Sequence, residues 1–409
     1  MQFTARLFPL NIFLVALLYG SCGAGSPNSN LVPQPSLPLA QSTPPARLAV
    51  VTEEEVTFYP TFGYKDARGW NLSLRGWVHE QRHGEERLQA VFPGCKTEER
   101  AIFKARTTDF LDEGKRHERV IIKFDSDPEG KSYENSERSG SDGIVTINLL
   151  FTDEQVKQLF EKQGSANGWL TYRAVSGDHT GIGRVKLIEP NGESLISDID
   201  DTIKITQVPA AKKIVLRNTF CLDFKSVTEP DMAKMYKDLG DTPIHYVSGG
   251  PEQLFGPLYD YLIMGAGGFP EGTFHLKFFG ESVEGLRTII EAVKSSMKVT
   301  YEHKLEKIQM LMDKFPNRKF TLVGDSGEVD PEVYAEIRKL RPSQVKEIII
   351  RDVINDRVVN PFRLDGMTII EVDPPICAED KHFEDVKQRV EERYRGKTYK
   401  QNTAPPCGP

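Results

Sequence analysis

The spacing of apolar and polar residues changes near residue 190. From Ala49 to Ile188, short runs that alternate between apolar and polar positions predict β-strands separated by polar, glycine-bearing breaks. The predicted strands are Val56–Tyr59, Leu72–His79, Arg119–Phe124, Ile144–Phe151, Trp169–Val175 and Arg184–Ile188, with a helix predicted over Asp153–Lys162. Because helical periodicity is otherwise nearly absent, residues 48–190 are predicted to form a sandwich-like, mostly β domain.

A turn cluster, Glu189-Pro190-Asn191-Gly192, marks the predicted boundary, and apolar strands followed by helical stretches come after it. The predicted strands are Ser194–Ser197, Ile244–Val247, Phe320–Val323, Val345–Ile350 and Met367–Val372, and the predicted helices are Gln253–Leu262, Glu302–Phe315 and Pro331–Leu340. This alternation predicts a three-layer α/β domain over residues 191–400, with its ligand site at the carboxyl ends of parallel strands. Its last part is predicted to be a charged helical extension, followed by a flexible tail at residues 401–409.

The N-terminus has the pattern of an export signal. Arg6 precedes an apolar run, Leu7–Leu18, that is too short to span a bilayer comfortably. Cys22 follows Gly20-Ser21 and resembles the lipidated cysteine of bacterial lipoproteins, with simple cleavage or a retained anchor as the alternatives. We therefore predict a signal at residues 1–24, a Pro/Ser-rich tether at residues 25–47 and a location outside the cytoplasm: periplasmic, secreted or membrane-anchored.

Composition adds few constraints. Of 409 residues, 39% are hydrophobic and 27% are charged, as in soluble globular proteins, and the formal charge of −7 argues against a general affinity for nucleic acid. Apart from Cys22, the cysteines are Cys95, Cys221, Cys377 and Cys407, and their spacing is not that of a metal site. Sequence alone supports no disulfide framework, although a Cys377–Cys407 bridge would suit an exported protein.

The most unusual segment is Asp198-Ile199-Asp200-Asp201-Thr202, directly after the predicted strand Ser194–Ser197. So much negative charge at a strand end is costly unless a cation neutralises it, and hard carboxylate oxygens suit a divalent cation such as Mg²⁺. One carboxylate can then attack a phosphorus atom while the other transfers protons. The alternative is an acidic cluster that only stabilises a helix N-terminus.

Three further features fall at predicted strand or helix ends. Ser248 and the backbone of Gly249 follow a strand and can donate to phosphoryl oxygens, although a Ser-Gly turn has the same pattern. Lys304 can neutralise a transferred phosphate, although most lysines on helices are solvated. Asp325 and Asp330 follow Phe320–Val323 and can ligate a cation directly or through water, although a glycine-rich turn and a helix start would also explain them.

In this order, the four features resemble the motifs of the haloacid-dehalogenase-type phosphohydrolases. The segments Ser197–Lys204, Leu216–Phe220, His245–Ser248, His303–Lys304 and Gly324–Ser326 resemble more closely the actin-patch-protein-type phosphatidate phosphatase catalytic domain. The resemblance extends from about Glu193 to Asp352. It implies a Rossmann-like, three-layer fold of the haloacid-dehalogenase type for the α/β domain.

The resemblance also implies roles for these carboxylates. Asp198 would be the nucleophile that forms an aspartyl-phosphate, and Asp200 would be the acid and base. Mg²⁺ would be held by Asp198, Asp325 and the main-chain carbonyl of Asp200, with Asp330 acting through water. Asp201 is interpreted as a turn residue.

The phosphate would be held by Ser248 and Lys304, with Gly249 and Thr202 beside it. The chain departs from the family at Gly249-Gly250, where larger residues are usual.

The substrate expected from the resemblance is phosphatidate, hydrolysed to diacylglycerol. Phe278-Phe279 beside Lys277 would suit contact with a membrane surface, although these rings can equally fill the core. Two alternatives remain: a phosphatase for small soluble phosphomonoesters, and a membrane-tethered module that binds lipid or protein and carries an inactive phosphatase-like domain.

Overall fold

The computed structural model describes residues 54–80, 95–110, 112–164, 167–223, 228–264, 268–277 and 297–402. Their hydrogen-bonded strands form two sheets. We call residues 54–188 the β region and residues 191–402 the α/β region, in each case the described residues only.

The sheet of the β region has ten described strands. They are β1 (Glu54–Tyr59), β2 (Thr61–Asp66), β3 (Gly69–Glu80), β4 (Glu113–Gly114), β5 (Ile121–Phe124), β6 (Ser132–Glu134), β7 (Ile144–Phe151), β8 (Trp169–Ala174), β9 (His179–Thr180) and β10 (Ile182–Ile188). Their order is β6-β5-β8-β10-β2-β3-β1-β9, and β4 and β7 also pair with β3.

This sheet curves around one hydrophobic core. Phe58 on β1 and Tyr172 on β8 are several strands apart in the sheet order, yet their ring centroids are 5.0 Å apart. Neighbouring strands lie about 4.8 Å apart, so a flat sheet would keep these rings much farther from each other. The predicted β region is confirmed, and its strands form one continuous, curved hydrogen-bonded network.

The sheet of the α/β region is parallel throughout. Its strands are β11 (Asn191–Ser197), β12 (Ile244–Pro251), β13 (Thr273–Lys277), β14 (Asn317–Asp325), β15 (Val345–Asp352) and β16 (Thr368–Glu371), in the order β13-β12-β11-β14-β15-β16. In register, Ser197 of β11 lies beside Tyr246 of β12 and Val323 of β14. The carboxyl ends of these three strands therefore meet at one edge of the sheet.

The described α-helices are α1 (Arg100–Thr107), α2 (Asp153–Gln163), α3 (Lys212–Phe220), α4 (Pro230–Lys237), α5 (Phe255–Tyr259), α6 (Met297–Lys314), α7 (Asp330–Leu340), α8 (Asp356–Val359) and α9 (Asp380–Arg393). Successive residues of β11 point to opposite faces of the sheet. Ile196 packs into a cluster with residues of α6, α7 and α9, whereas Leu195 packs into a cluster with residues of α4 and α5. Helices therefore cover both faces, and the α/β class is confirmed.

The structure differs from the predicted elements in three ways. Asn191 and Gly192 begin β11 and pair with Asn317 and Arg318, so the turn predicted there was wrong. The helix predicted over Gln253–Leu262 is divided into a 3₁₀ turn, the short α5 and a π-helical turn. Elements that the pattern missed are β2, β4, β6, β9, β13, α1, α3, α4 and α8.

The two regions share their cores. Phe62 of β2 packs into the cluster beneath α6, and Tyr59 and Trp77 pack into the cluster on the opposite face of the parallel sheet. A disulfide, Cys95–Cys221, joins the segment before α1 to the end of α3. Sequence analysis had supported no disulfide framework. The division into domains at residue 190 stays a prediction.

Several predictions fall outside the described residues: the signal, Cys22 and the tether, Phe278-Phe279, and Cys407 with most of the tail. Cys377 is disulfide-bonded. Across the described parts of the chain, no helix combines the length and apolar character that crossing a bilayer requires.

Candidate active site

The predicted nucleophile lies at the centre of the parallel sheet. Asp198 directly follows β11, and its backbone N–H donates to the carbonyl of Val323 on β14 at 2.9 Å. Thr202 Oγ1 donates to Asp198 Oδ2 at 3.1 Å, and both residues are buried. Asp198 is therefore held by its own loop and by the neighbouring strand.

Lys304 enters the same space from α6. Its Nζ lies 2.9 Å from Asp198 Oδ1 and 2.6 Å from Asp330 Oδ1, and the lysine is fully buried. A lysine that is a solvated charge would be exposed, so the structure excludes that alternative for Lys304. The ion pairs fix its ammonium group beside the predicted nucleophile.

Asp325 ends β14 and has the environment of a cation ligand. Its Oδ1 accepts from the backbone N–H groups of Gly327 at 2.6 Å and Glu328 at 3.2 Å. Its Oδ2 is buried and has no hydrogen-bond partner among the described residues. One carboxylate oxygen from each of Asp198, Asp325 and Asp330 lies within 4.8 Å of the others. A buried, unpaired oxygen in such a group favours a bound divalent cation.

The charges of the cluster support this interpretation. Three carboxylates, those of Asp198, Asp330 and Glu328, surround the ammonium group of Lys304, and the carboxylate of Asp325 lies beside those of Asp198 and Asp330. Burial, with the neighbouring carboxylates, raises the pKa of Asp325 well above its ordinary value. Burial likewise raises the pKa of Asp198, although Lys304 opposes the shift. A divalent cation would offset the excess negative charge and keep these groups ionised.

Asp200 occupies a different environment from Asp198. Its side chain is 25% exposed, and its Oδ1 accepts from Lys204 Nζ at 2.9 Å and also from Thr206 Oγ1. Burial alone would raise the pKa of Asp200, but Lys204 and Thr206 outweigh burial and lower it. Its carboxylate is not in the group of potential ligands, and a role for its main-chain carbonyl stays a prediction.

Asp201 is a turn residue, as the sequence suggested. Its φ is +56°, and its carboxylate accepts from the backbone N–H groups of Thr206, Gln207 and Val208 at 2.9, 2.6 and 2.6 Å. Burial raises its pKa to about 6, although those three hydrogen bonds lower it. Asp201 therefore shapes the loop that carries the partners of Asp200.

Ser248 lies within β12, beside β11, because this strand continues to Pro251 and does not end at Val247 as predicted. Ser248 Oγ accepts from the N–H of Gly250 at 2.9 Å. A Cβ at Gly249 would stand 2.9 Å from Thr300 Cγ2, so a side chain there requires Thr300 to move. A Cβ at Gly250 would stand 3.2 Å from Ser248 Oγ and 3.7 Å from Asp200 Oδ2. Gly250 therefore keeps open the space beside Ser248 and Asp200, whereas Gly249 leaves room for Thr300. Phosphate contacts by Ser248, Gly249 and Thr202 stay predictions.

Sequence analysis missed two supporting residues. Glu328 lies 3.4 Å from Lys304 Nζ, and burial raises its pKa to about 7, an effect that Lys304 opposes. Arg363 is fully buried and donates to the carbonyls of Ser326 and Glu328, each at 2.8 Å. Glu328 stands inside the acidic motif and could have been recognised there. Arg363 could not, because its position relative to the loop depends on the tertiary fold.

A basic cleft lies between β1–β3, β7, β13 and α6. Its volume is about 770 Å³, and its lining includes Arg75, Lys277, Lys307 and Lys314. His303, Lys307, Met310 and Lys314 of α6 line it, whereas Lys304 and Ile308 of the same helix are fully buried. Helical spacing thus lets α6 serve both the cleft and the carboxylate cluster.

Part of the α/β region is similar in sequence to a known protein family. Residues 193–352 match the family model described as the phosphatidate phosphatase APP1 catalytic domain. The resemblance predicted from the motifs is therefore confirmed over this part of the chain.

Among individual proteins, phosphatidate phosphatase APP1 of Saccharomyces cerevisiae is 35% identical over 167 residues, which are 40% of this chain and 26% of that protein. An uncharacterized protein of Schizosaccharomyces pombe is 29% identical over 177 residues, 43% of this chain and 27% of that one. The chain thus spans about a quarter of the length of these relatives. A solved carbohydrate esterase structure aligns with 72% of this chain and 87% of its own at 10% identity, with a TM-score of 0.20. That likeness carries no argument.

Proposed function

We propose that this chain is a Mg²⁺-dependent phosphatase that hydrolyses phosphatidate to diacylglycerol through an aspartyl-phosphate on Asp198. The α/β region would then be a Rossmann-like domain of the haloacid-dehalogenase type. The observation that carries the proposal is the buried pair of Asp198 and Lys304, 2.9 Å apart, beside the unpaired Oδ2 of Asp325.

Asp198, Asp325 and Asp330 offer the hard oxygen donors that Mg²⁺ prefers. The cation, when bound, would neutralise charge on the transferred phosphoryl group. Among the described residues, Asp325 Oδ2 and Asp198 Oδ1 are both buried without a hydrogen bond, and Asp198 Oδ1 is ion-paired with Lys304. Asp330 accepts from Lys304 and from the backbone N–H of Asp325 at 3.2 Å. Asp330 is therefore better suited to support the other ligands than to bind the cation directly.

In the first step, a carboxylate oxygen of Asp198 attacks phosphorus and the ester P–O bond breaks. Because burial is outweighed by Lys204 and Thr206, which lower the pKa of Asp200, its carboxyl group must take up a proton from solvent as the substrate binds, before it can give that proton to the leaving alkoxide. Lys304 is suited to stabilise the phosphoryl charge, because Asp198, Asp330 and Glu328 raise its pKa although burial lowers it. In the second step, Asp200 takes a proton from water, whose oxygen attacks phosphorus and breaks the bond to Asp198. Asp198 is then free again.

The cleft shares α6 with the proposed active site, and its lining supports a lipid substrate. Its basic side chains suit an anionic molecule, and apolar members of its lining, including Phe62, Leu149 and Leu276, suit a hydrocarbon chain. Phosphatidate has both parts, and a small soluble phosphomonoester would leave the cleft unused. This supports phosphatidate as the substrate, as does the similarity to the phosphatidate phosphatase of yeast.

From the sequence alone, we also propose that residues 1–24 direct export, with Cys22 as a candidate for lipidation and residues 25–47 as a tether. Such a tether would hold the phosphatase near a membrane surface, where its substrate resides.

Phosphate release from dispersed phosphatidate and from an aryl phosphate, with Mg²⁺ and with chelator, tests the function. We expect Mg²⁺-dependent release, with higher kcat/KM for phosphatidate, and a fall of several orders of magnitude in Asp198→Asn. Asp238→Asn is the matched control, because that carboxylate is exposed and forms an ion pair with Lys234. No release from either substrate would exclude the enzyme and favour the inactive binding module. A preference for the aryl phosphate would favour small soluble substrates.

A further inference from the structure

A second group of potential metal ligands lies in the β region. Glu54 begins β1 and lies in register with His179 of the parallel strand β9. Glu118 and Asp178 complete the group, and one ligand atom from each of the four residues lies within 4.8 Å of the others. None of these residues takes part in the proposed phosphatase chemistry.

The distances within this group are unusual for hydrogen bonds. His179 Nε2 lies 3.4 Å from Glu54 Oε2 and 3.4 Å from Glu118 Oε2. Good hydrogen bonds between nitrogen and oxygen span about 2.7–3.2 Å. A tetrahedral Zn²⁺ ion with bonds of about 2.0–2.1 Å separates its ligand atoms by about 3.4 Å. The observed spacing thus matches ligands of one small cation better than it matches direct hydrogen bonds.

The buried atoms of the group lack other partners. Among the residues that the structure describes, neither His179 Nε2 nor Glu54 Oε2 has a hydrogen-bond partner, although both atoms are buried. The His179 side chain is only 2% exposed and therefore has no solvent to replace such a partner. A buried imidazole nitrogen facing two carboxylate oxygens is costly unless a proton or a cation lies between them.

The other ring nitrogen is positioned as in metal-binding histidines. His179 Nδ1 lies 2.8 Å from Ser176 Oγ, and Ser176 Oγ accepts from the backbone N–H of Ile121 at 3.2 Å. Donation from Nδ1 to this hydroxyl would leave the lone pair of Nε2 directed at the carboxylates. A ligating histidine usually donates its second N–H in this way, which fixes the ring.

The surrounding charges leave the group negative. Lys115 Nζ lies 3.6 Å from Glu54 Oε1, the oxygen on the other side of that carboxylate, and it also pairs with Glu80. Glu118 adds a carboxylate beside His179 Nε2, and Asp178 Oδ1 lies 3.3 Å from the other ring nitrogen, Nδ1. Asp178 is 58% exposed and can give a cation access from solvent.

We propose that His179, Glu54 and Glu118, with Asp178 at the entrance, bind a divalent transition-metal cation of the Zn²⁺ class. One nitrogen and several carboxylate oxygens suit Zn²⁺, whereas an all-oxygen group would suit Mg²⁺ or Ca²⁺. The cation would join the start of β1 to β9 and to the segment before β5. It would therefore stabilise the edge of the β region where the chain arrives from its N-terminal residues.

Calorimetric titration of the full chain with Zn²⁺ tests this proposal, after metal removal and in saturating Mg²⁺ to occupy the carboxylates around Asp325. We expect Zn²⁺ binding that weakens by roughly tenfold or more in His179→Gln and in Glu118→Gln. Glu137→Gln, at an exposed position of the same region, should bind Zn²⁺ like the wild type. Cobalt substitution adds a direct readout, because a four-coordinate site gives strong visible absorption that His179→Gln should abolish.

Unchanged Zn²⁺ affinity in both Glu118→Gln and His179→Gln would overturn the proposal, as would no Zn²⁺ binding by the wild type. If His179→Gln does not fold, Glu118→Gln decides alone, because its side chain is partly exposed. The outcome is independent of the phosphatase, since all these variants keep the residues of the proposed active site and are expected to release phosphate from an aryl phosphate at the wild-type rate.

Discussion

At the proposed active site, burial shifts the pKa of individual side chains. His303, which precedes the catalytic candidate Lys304, is one example. Its Nε2 lies 3.3 Å from the carbonyl of His275, to which a neutral imidazole can donate. Burial lowers the pKa of His303 to about 4, although that carbonyl contact opposes the shift. In the unfolded chain, the imidazole of His303 is protonated below about pH 6.5, whereas in the native protein it stays neutral to a lower pH.

Stability should consequently depend on His303 in mildly acidic solution. Because its pKa is lower in the folded state, its contribution is complete above about pH 6.5 and is lost as the pH falls toward about 4. Between about pH 7 and pH 4.5, the wild type should lose about 2 kcal/mol more unfolding free energy than His303→Gln. Urea unfolding of both proteins at each pH measures the difference. If the wild type and His303→Gln lose the same unfolding free energy between these pH values, His303 does not contribute to the pH dependence of stability.

At the scale of elements, the loop after β14 depends on an arginine far from it in sequence. Arg363 donates two hydrogen bonds to Glu332, at 2.8 and 2.7 Å, and also pairs with Asp356. In Arg363→Met, both carboxylates would stay buried without their cation. We expect a loss of about 3–5 kcal/mol in unfolding free energy, and weaker Mg²⁺ binding because the loop loses two backbone anchors.

Urea unfolding and Mg²⁺ titration of Arg363→Met check this expectation. Arg341→Met is the matched control, because Arg341 pairs with Asp313 at 2.5 Å on an exposed surface. Loss of this exposed ion pair should lower the unfolding free energy by about 1 kcal/mol or less. Equal effects of the two substitutions would show that burial of Arg363 does not matter to the loop.

The same elements explain what could be predicted from sequence. Asp198 and Asp325 follow apolar strands, so local pattern located them, and parallel pairing of β11 with β14 brings them together. β2 was missed because Gly63 interrupts its pattern, and a Cβ there would stand 2.5 Å from Leu187 Cδ2 on β10. Arg363 was missed for a related reason. Its partner Glu332 is 31 residues away, and only the folded chain defines that contact.

At the scale of the whole molecule, the segment before and including α1 fastens the β region to the helix beside the active-site loop. Phe103 and Phe110 pack against Phe220 of α3, and Arg217 pairs with Glu99 at 2.5 Å. On the same helix, Asn218 Nδ2 donates to the carbonyl of Thr206 at 3.0 Å. Contacts thus run from the β region through α3 to the loop that holds Asp200.

The Cys95–Cys221 disulfide makes this attachment covalent across 126 residues of sequence. A cross-link of that length restricts the unfolded chain by about 4–5 kcal/mol on the chain-entropy model. Cys95→Ala combined with Cys221→Ala should therefore lower the urea midpoint by the equivalent of several kcal/mol, and should reduce activity if α3 positions the loop of Asp200. Glu99→Gln removes only the ion pair and keeps the cross-link, so its loss should stay near 1 kcal/mol. If both proteins unfold at the wild-type midpoint, the two regions are held together by their shared core and not by the disulfide.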